Sequence, residues 1–255
     1  MELETYLKKT ADEVNSLLQD CYGDPKTALS RAANHLLFAG GKRLRPVLFK
    51  MATDAVNPGS SARIMPAGLS LEVTHNFTLI HDDIMDNAPL RRGKETVYRK
   101  WNSNIAILSG DTMFALAYKY LIQTDSCYLP GIIKIFTDAA IGVCEGQQLD
   151  INYETRPEVT IQEYVKMIRL KTAVLLAASI KTGATISGAD DFISQHLYDF
   201  GINLGIAFQL QDDLLDVYGN QNTFGKQIGG DITTNKKTYL LIKVLELANE
   251  TDRQE

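Results

Sequence analysis

Apolar residues in this chain recur mostly at the three- and four-residue spacing of amphipathic helices. Leu3, Leu7, Val14, Leu17 and Leu18 mark a first helix, and Ala28 to Phe38 a second. The run Gly40 to Arg45 interrupts the pattern, and Pro46 follows near the start of another helix, where a missing N–H is tolerated. Periodic stretches then cover 62–87, 105–123, 131–151, 161–182 and 191–218, and a last helix begins near Lys236. Pro66 is expected within the first turn of its stretch. Turn signals separate the stretches: Asn57-Pro58-Gly59, Ala88-Pro89, Leu129-Pro130-Gly131, Arg156-Pro157 and Gly219-Asn220. No run alternates as a half-buried strand would, and no linker, repeat or low-complexity tract divides the chain. The pattern predicts an all-α fold, one domain over 1–255, built as a large helical bundle whose core side chains line a cavity.

Composition narrows the function classes. At 45% hydrophobic residues the chain buries a substantial core. The net charge of −5, from 26 basic and 31 acidic residues, argues against a general nucleic-acid binder. Cys21, Cys127 and Cys144 are scattered, without the spacing of a disulfide framework or a metal site, which fits a reducing, cytoplasmic setting. Residues 1–20 are charged and amphipathic, unlike a signal peptide. No apolar run approaches the roughly 18 residues of a transmembrane helix.

The acids are clustered. His81-Asp82-Asp83-Ile84-Met85-Asp86 closes one predicted helix, and Asp212-Asp213-Leu214-Leu215-Asp216 closes another. Carboxylates three and four residues apart share one helical face and repel each other, so each cluster asks for a compensating cation. Oxygen ligands suit magnesium, which keeps waters and is often completed by phosphate oxygens. A solvated acidic helix end is the plain alternative for either copy alone. The row Leu204, Phe208, Asp212, Asp216 makes the second cluster continue an apolar stripe, and Thr74, Thr78, Asp82, Asp86 extends an uncharged one. Carboxylates in line with core-facing rows do not look like surface decoration.

Basic groups accompany them. Gly40-Gly41-Lys42-Arg43-Leu44-Arg45 precedes a helix, offering close backbone approach, Lys42 and Arg45 charge, and a helix N-terminus to an anion. Arg91-Arg92-Gly93 follows the first acidic cluster, and arginine forks suit phosphate oxygens, although simple ion pairing with the aspartates fits equally. Lys171-Thr172 lies mid-helix, and Lys226 and Lys236 flank a Gly-rich loop. Together these suit two diphosphates, one held through metal and one held directly by side chains.

The ordered segments GGKRLRP, HDDIMD, RRG, EGQQLD, RLKTA, FQLQDDLLD and GKQIGGDI resemble the trans-isoprenyl diphosphate synthases, the polyprenyl synthetase family, over residues 30–240. The resemblance implies an all-α bundle around a deep cavity, a homodimer, and elongation of an allylic prenyl diphosphate with isopentenyl diphosphate. It implies that Asp82, Asp83, Asp86, Asp212, Asp213 and Asp216 surround three magnesium ions at the allylic diphosphate. Arg91, Lys171 and Lys226 would contact that diphosphate, with Lys236 another phosphate-side lysine. Lys42, Arg45, His75 and Arg92 would take isopentenyl diphosphate. Thr172 and Gln209 would face the reacting carbons, and Gln147 and Asp150 match a further motif of the family. The family continues with more C-terminal helices, so this chain is expected to be short of them.

The resemblance also concerns product length. Phe77 lies five residues before Asp82 and Thr78 four before it, about 7.5 Å along a helix for the former. A ring there would form a pocket floor, against the alternative of ordinary core packing. This pattern, without an insertion between the aspartates, resembles the C20-forming type, so a C15–C20 product is expected, with geranylgeranyl diphosphate favoured. The rivals are a non-catalytic or truncated subunit and a longer-chain polyprenyl synthase. Terpene cyclases fit less well, because the second acidic motif here is DDLLD. A di-iron bundle needs two Glu-x-x-His pairs, and only Glu72-Val73-Thr74-His75 is present.

Overall fold

The computed structural model describes residues 2–22, 25–219 and 229–249; Lys226 lies outside them. The chain folds into helices α1 (Leu3–Tyr22), α2 (Ala28–Leu37), α3 (Leu44–Val56), α4 (Ser61–Met85), α5 (Val97–Lys100), α6 (Ser103–Leu121), α7 (Leu129–Glu154), α8 (Ile161–Ile168), α9 (Val174–Ile186), α10 (Asp191–Tyr218), α11 (Gly230–Thr233) and α12 (Tyr239–Leu247). The all-α expectation holds. Short polar side chains set several helix starts. Thr27 and Thr160 close capping boxes with Ser30 and Glu163, and Asn102, Asp190 and Thr238 each accept from a backbone N–H of the first turn. Pro66 lies inside α4, in its second turn, because that helix starts at Ser61.

Two features were absent from the periodicity. A hairpin of β1 (Leu90–Arg91) and β2 (Lys94–Glu95) follows α4. Its strands are too short to show alternation, and its turn places Arg92 and Gly93 at φ 52° and 73°, the left-handed pair of a tight hairpin. The predicted helix over 161–182 is interrupted by a π turn at Arg169–Ala173, between α8 and α9. A π turn adds a residue without changing the hydrophobic spacing on either side, so periodicity does not reveal it.

The core surrounds α9, which is buried on nearly all sides and packs against α3, α7 and α10, while α4 lies along α6. The π turn is clamped where backbones touch. A Cβ at Gly146 of α7 would stand 2.2 Å from the Lys171 amide nitrogen, and one at Gly205 of α10 would stand 2.4 Å from the Ala173 Cα. Both positions need glycine for that approach. Gly146→Ala is expected to destabilise the fold by about 1–3 kcal/mol through overpacking. Gly131→Ala on the same helix, with nothing within 4 Å of its new Cβ, is expected to be nearly neutral. Urea unfolding midpoints of the two variants check this.

Candidate active site

The first acidic motif occupies the last turn of α4, where unpaired backbone carbonyls already concentrate negative potential. The Asp83 side chain is 1% exposed and accepts from Arg91 Nε at 2.6 Å. Burial pushes its carboxyl up to about 6, with Arg91 opposing. Its second oxygen is buried without a hydrogen-bond partner. Burial also raises the Asp82 carboxyl, with Lys171 opposing and Asp86 adding to the rise. Carboxylates raised by burial and by each other are a donor set that a divalent cation would stabilise.

Asp86 looks across to α7. Lys236 Nζ donates to Asp86 at 3.2 Å, Asp150 at 2.8 Å and Glu154 at 2.6 Å. These carboxylates each offer an oxygen within 4.8 Å of the others, a grouping that fits a metal ion. Lys171, on the π turn, donates to the same Asp150 oxygen at 2.6 Å. Burial pushes the Asp150 carboxyl up, but Lys171 and Lys236 more than offset it and hold it below the usual range. Burial likewise works against the Lys236 ammonium, and its carboxylates outweigh that and raise it. Asp150 and Glu154 are thus part of the acidic centre, at helical spacing on α7. Glu154 had no motif to announce it.

The second motif ends α10. Asp213 and Asp216 are 4% and 6% exposed, and Asp212 is half-buried at the same helix end. Asp213 accepts from the Tyr164 hydroxyl at 2.6 Å and from Gln209 Nε2 at 2.8 Å. Thr172 Oγ1, on the π turn, donates to Gln209 Oε1 at 2.8 Å. Thr172 and Gln209 are therefore joined to each other and to Asp213, and Tyr164 is an addition that no motif announced.

The basic residues form a second centre further back along α4. Arg43 caps α3 in a left-handed conformation, φ 49°, and turns inward. It donates to Glu72 and Asn15 at 2.8 Å and to the Leu37 carbonyl at 2.5 Å. Glu72 also accepts from Asn76 at 3.0 Å, and Asn76 Oδ1 accepts from Arg92 at 3.4 Å. Arg92 further donates to the Gly40 carbonyl. Beside this network the Arg45 Nε is buried without a partner, and burial lowers that guanidinium to about 10, against the Glu72 charge. Burial and then Arg45, Arg92 and Arg91 push His75 well below its ordinary value, so it is neutral near pH 7. An unpartnered arginine donor among several cations asks for an anion with many oxygens. Lys42 stays exposed, its ammonium 5.8 Å from the Phe208 ring centre.

A cleft of about 130 Å³ runs between α4 and α7, lined by Phe77, Thr78, Asp82, Val143, Gln147 and Ile151 among others. Phe77 lies below Asp82 and packs on Phe114 at 4.9 Å, itself packed on Tyr118 and Phe136. The Gln147 amide is buried without a hydrogen-bond partner.

Arg43 and Glu72 have side chains only 1% and 2% exposed. Glu72→Ala leaves a buried guanidinium without its counter-charge and is expected to cost about 3–5 kcal/mol. Glu72→Gln, which keeps an acceptor, is expected to cost less. Urea denaturation of both variants checks the order.

The family model described as Polyprenyl synthetase matches residues 26–255. A short chain isoprenyl diphosphate synthase from Methanothermobacter thermautotrophicus is 39% identical, covering 100% of this chain and 78% of the relative. A geranylgeranyl diphosphate synthase from Sulfolobus acidocaldarius is 41% identical, over 98% of this chain and 77% of the relative. The crystal structure of a geranylgeranyl pyrophosphate synthetase from Pyrococcus horikoshii superposes with a TM-score of 0.90 at 36% identity, over 98% of this chain and 78% of that one. With its helical architecture and nearly its whole length matched by these proteins, this chain belongs to the polyprenyl synthetase family and is a prenyltransferase.

Proposed function

We propose that the protein condenses isopentenyl diphosphate with an allylic prenyl diphosphate to a C15–C20 product, geranylgeranyl diphosphate in the first place. The observation that carries this reading is the pair of charge centres on one helix. Acidic Asp82, Asp83 and Asp86 meet Lys171 and Lys236 at the head of an apolar cleft, and Arg45, Arg92 and His75 gather about two to three turns further back along α4. Two diphosphates need two such places, one read as metal-bridged and one as directly bound.

The allylic diphosphate is read as lying against Arg91, Lys171, Lys226 and Lys236, with its tail in the cleft above Phe77. Asp82, Asp86, Asp212 and Asp216 would hold magnesium, three ions in this reading. Bound there, the metal supplies positive charge to the leaving oxygens as the allylic C–O bond breaks. Lys236 and Lys171, freed from Asp86 and Asp150 by that charge, would turn their ammonium groups to the same oxygens. Lys42, Arg45, His75 and Arg92 would fix isopentenyl diphosphate so that its double bond attacks the allylic cation. Neutral His75 can hydrogen-bond without adding a further charge to a crowded cationic site. Thr172 and Gln209 would offer dipoles to the cation, and the departed diphosphate would take the proton lost at the end.

Phe77 is read as the cleft floor, supported by its position among Thr78, Asp82 and the Phe114 ring. A single domain, a cytoplasmic location and a homodimer belong to the same reading. Exposed Ile107 and Leu108 on α6 and Ile141 on α7 offer the second copy an apolar surface. Among the described residues no helix is long and apolar enough to cross a membrane.

Labelled isopentenyl diphosphate with geranyl or farnesyl diphosphate is expected to give a magnesium-dependent C20 product. Asp82→Ala is expected to lower kcat by about a thousandfold or more, as the loss of a group that stabilises developing charge. No product from the unaltered chain would sink the reading. In the same assay Phe77→Ala is expected to shift product beyond C20, and an unchanged product length would remove Phe77 from the floor.

A further inference from the structure

The hydrogen bonds around Asp213 fix more than its own orientation. Tyr164 is 1% exposed and Asp213 4% exposed. The tyrosine hydroxyl donates to Oδ2 at 2.6 Å while Gln209 Nε2 donates to Oδ1 at 2.8 Å. Gln209 thus turns its NH2 group to the carboxylate oxygen, which accepts. That leaves the amide oxygen on the Thr172 side, 2.8 Å from Oγ1. An amide oxygen also only accepts, so the single hydroxyl proton of Thr172 must point at Gln209. The amide orientation of Gln209 and the hydroxyl proton of Thr172 are thereby set along a row that starts from Tyr164 on α8 and ends on the π turn. The ring of Tyr164 is itself backed by Tyr239 of α12, with centroids 6.4 Å apart.

We infer that Tyr164 is a positioning residue. Through Asp213 it fixes the hydrogen-bond polarity of Gln209 and Thr172, so that the pair turns oxygen lone pairs, not N–H or O–H protons, toward the allylic cation. The inference rests on the reading of Thr172 and Gln209 as the groups that face the reacting carbons. A reversed amide would aim its positive end at a carbocation and oppose its formation. A loosened one would also leave room for water. Water oxygen then adds to the allylic carbon after the C–O bond breaks, releases a proton, and gives a prenyl alcohol plus diphosphate in place of elongation. Asp213 in this arrangement serves the amide, which differs from the metal-ligand role that the motif implied for it.

The test is the ratio of prenyl alcohol to elongated diphosphate, measured on the full-length, magnesium-loaded protein with farnesyl and isopentenyl diphosphates. Tyr164→Phe is expected to lower kcat by about tenfold or more, as outer supporting hydrogen bonds commonly do. Its KM values and magnesium half-saturation should stay near those of the unaltered protein, and the alcohol ratio should rise. Gln209→Ala should raise the ratio further, and the double variant should be no worse than Gln209→Ala alone, because the tyrosine acts through the amide. Additive effects of the two changes, or a Tyr164→Phe effect confined to magnesium half-saturation, would overturn the inference. An unchanged ratio in Gln209→Ala would overturn the reading of the pair and the inference with it. Should Tyr164→Phe not fold, Asp213→Asn keeps an oxygen for Tyr164 while presenting an NH2 group to Gln209. A raised alcohol ratio at unchanged magnesium half-saturation supports the relay, whereas a raised half-saturation at unchanged ratio makes Asp213 a metal ligand and overturns it.

Discussion

The site depends on holding carboxylates together at the negative end of a helix. Asp82, Asp83 and Asp86 stand in the last turn of α4, and α7 adds Asp150 and Glu154 from across the cleft. Helix dipole and like charges both oppose the assembly. In this structure Lys236 and Lys171 offset that repulsion, with Asp150 receiving both ammonium groups. The same lysines are the groups that a diphosphate would call on. The protein's own cations thus hold together carboxylates that a metal ion would otherwise have to neutralise.

The position of Lys171 in turn depends on packing that has little to do with charge. It rides on the π turn, and that turn is seated because Gly146 and Gly205 let α7 and α10 touch its backbone. Thr172 sits beside Lys171 on the same turn and reaches Gln209, so one local distortion serves both the electrostatic centre and the dipoles next to it. A regular helix would rotate the two side chains apart from these partners.

Charge is also kept in two separate places. The hairpin sends Arg91 to Asp83 and Arg92 back toward Asn76 and the Gly40 carbonyl. Adjacent arginines thus serve opposite centres, as expected of residues flanking a tight turn. At the rear centre Glu72 anchors Arg43, which leaves Arg45 with an unpartnered donor. A buried carboxylate holding one arginine keeps the others in place without neutralising the whole group.

Much of this was legible along the chain because it is local. Helical periodicity, the spacing of Asp82 to Asp86 and of Asp212 to Asp216, and the glycines before α3 are relations within a few residues, and local sequence carries them. The motif order carried the family. Other features join positions far apart, where short-range pattern has no information. Lys236 meets Asp86 from 150 positions away, and Tyr164 meets Asp213 from 49. Among Lys42, Arg43 and Arg45 the sequence shows three similar cations; only packing turns Arg43 inward to Glu72 and leaves Lys42 in solvent. The π turn is local, yet it hides, because inserting one residue leaves the apolar rhythm on each side intact. The sequence by itself determined the helices and the charges they carry. The tertiary structure alone decided which charges are buried, which are paired and which stay available, because desolvation and distance depend on neighbours that only the fold supplies.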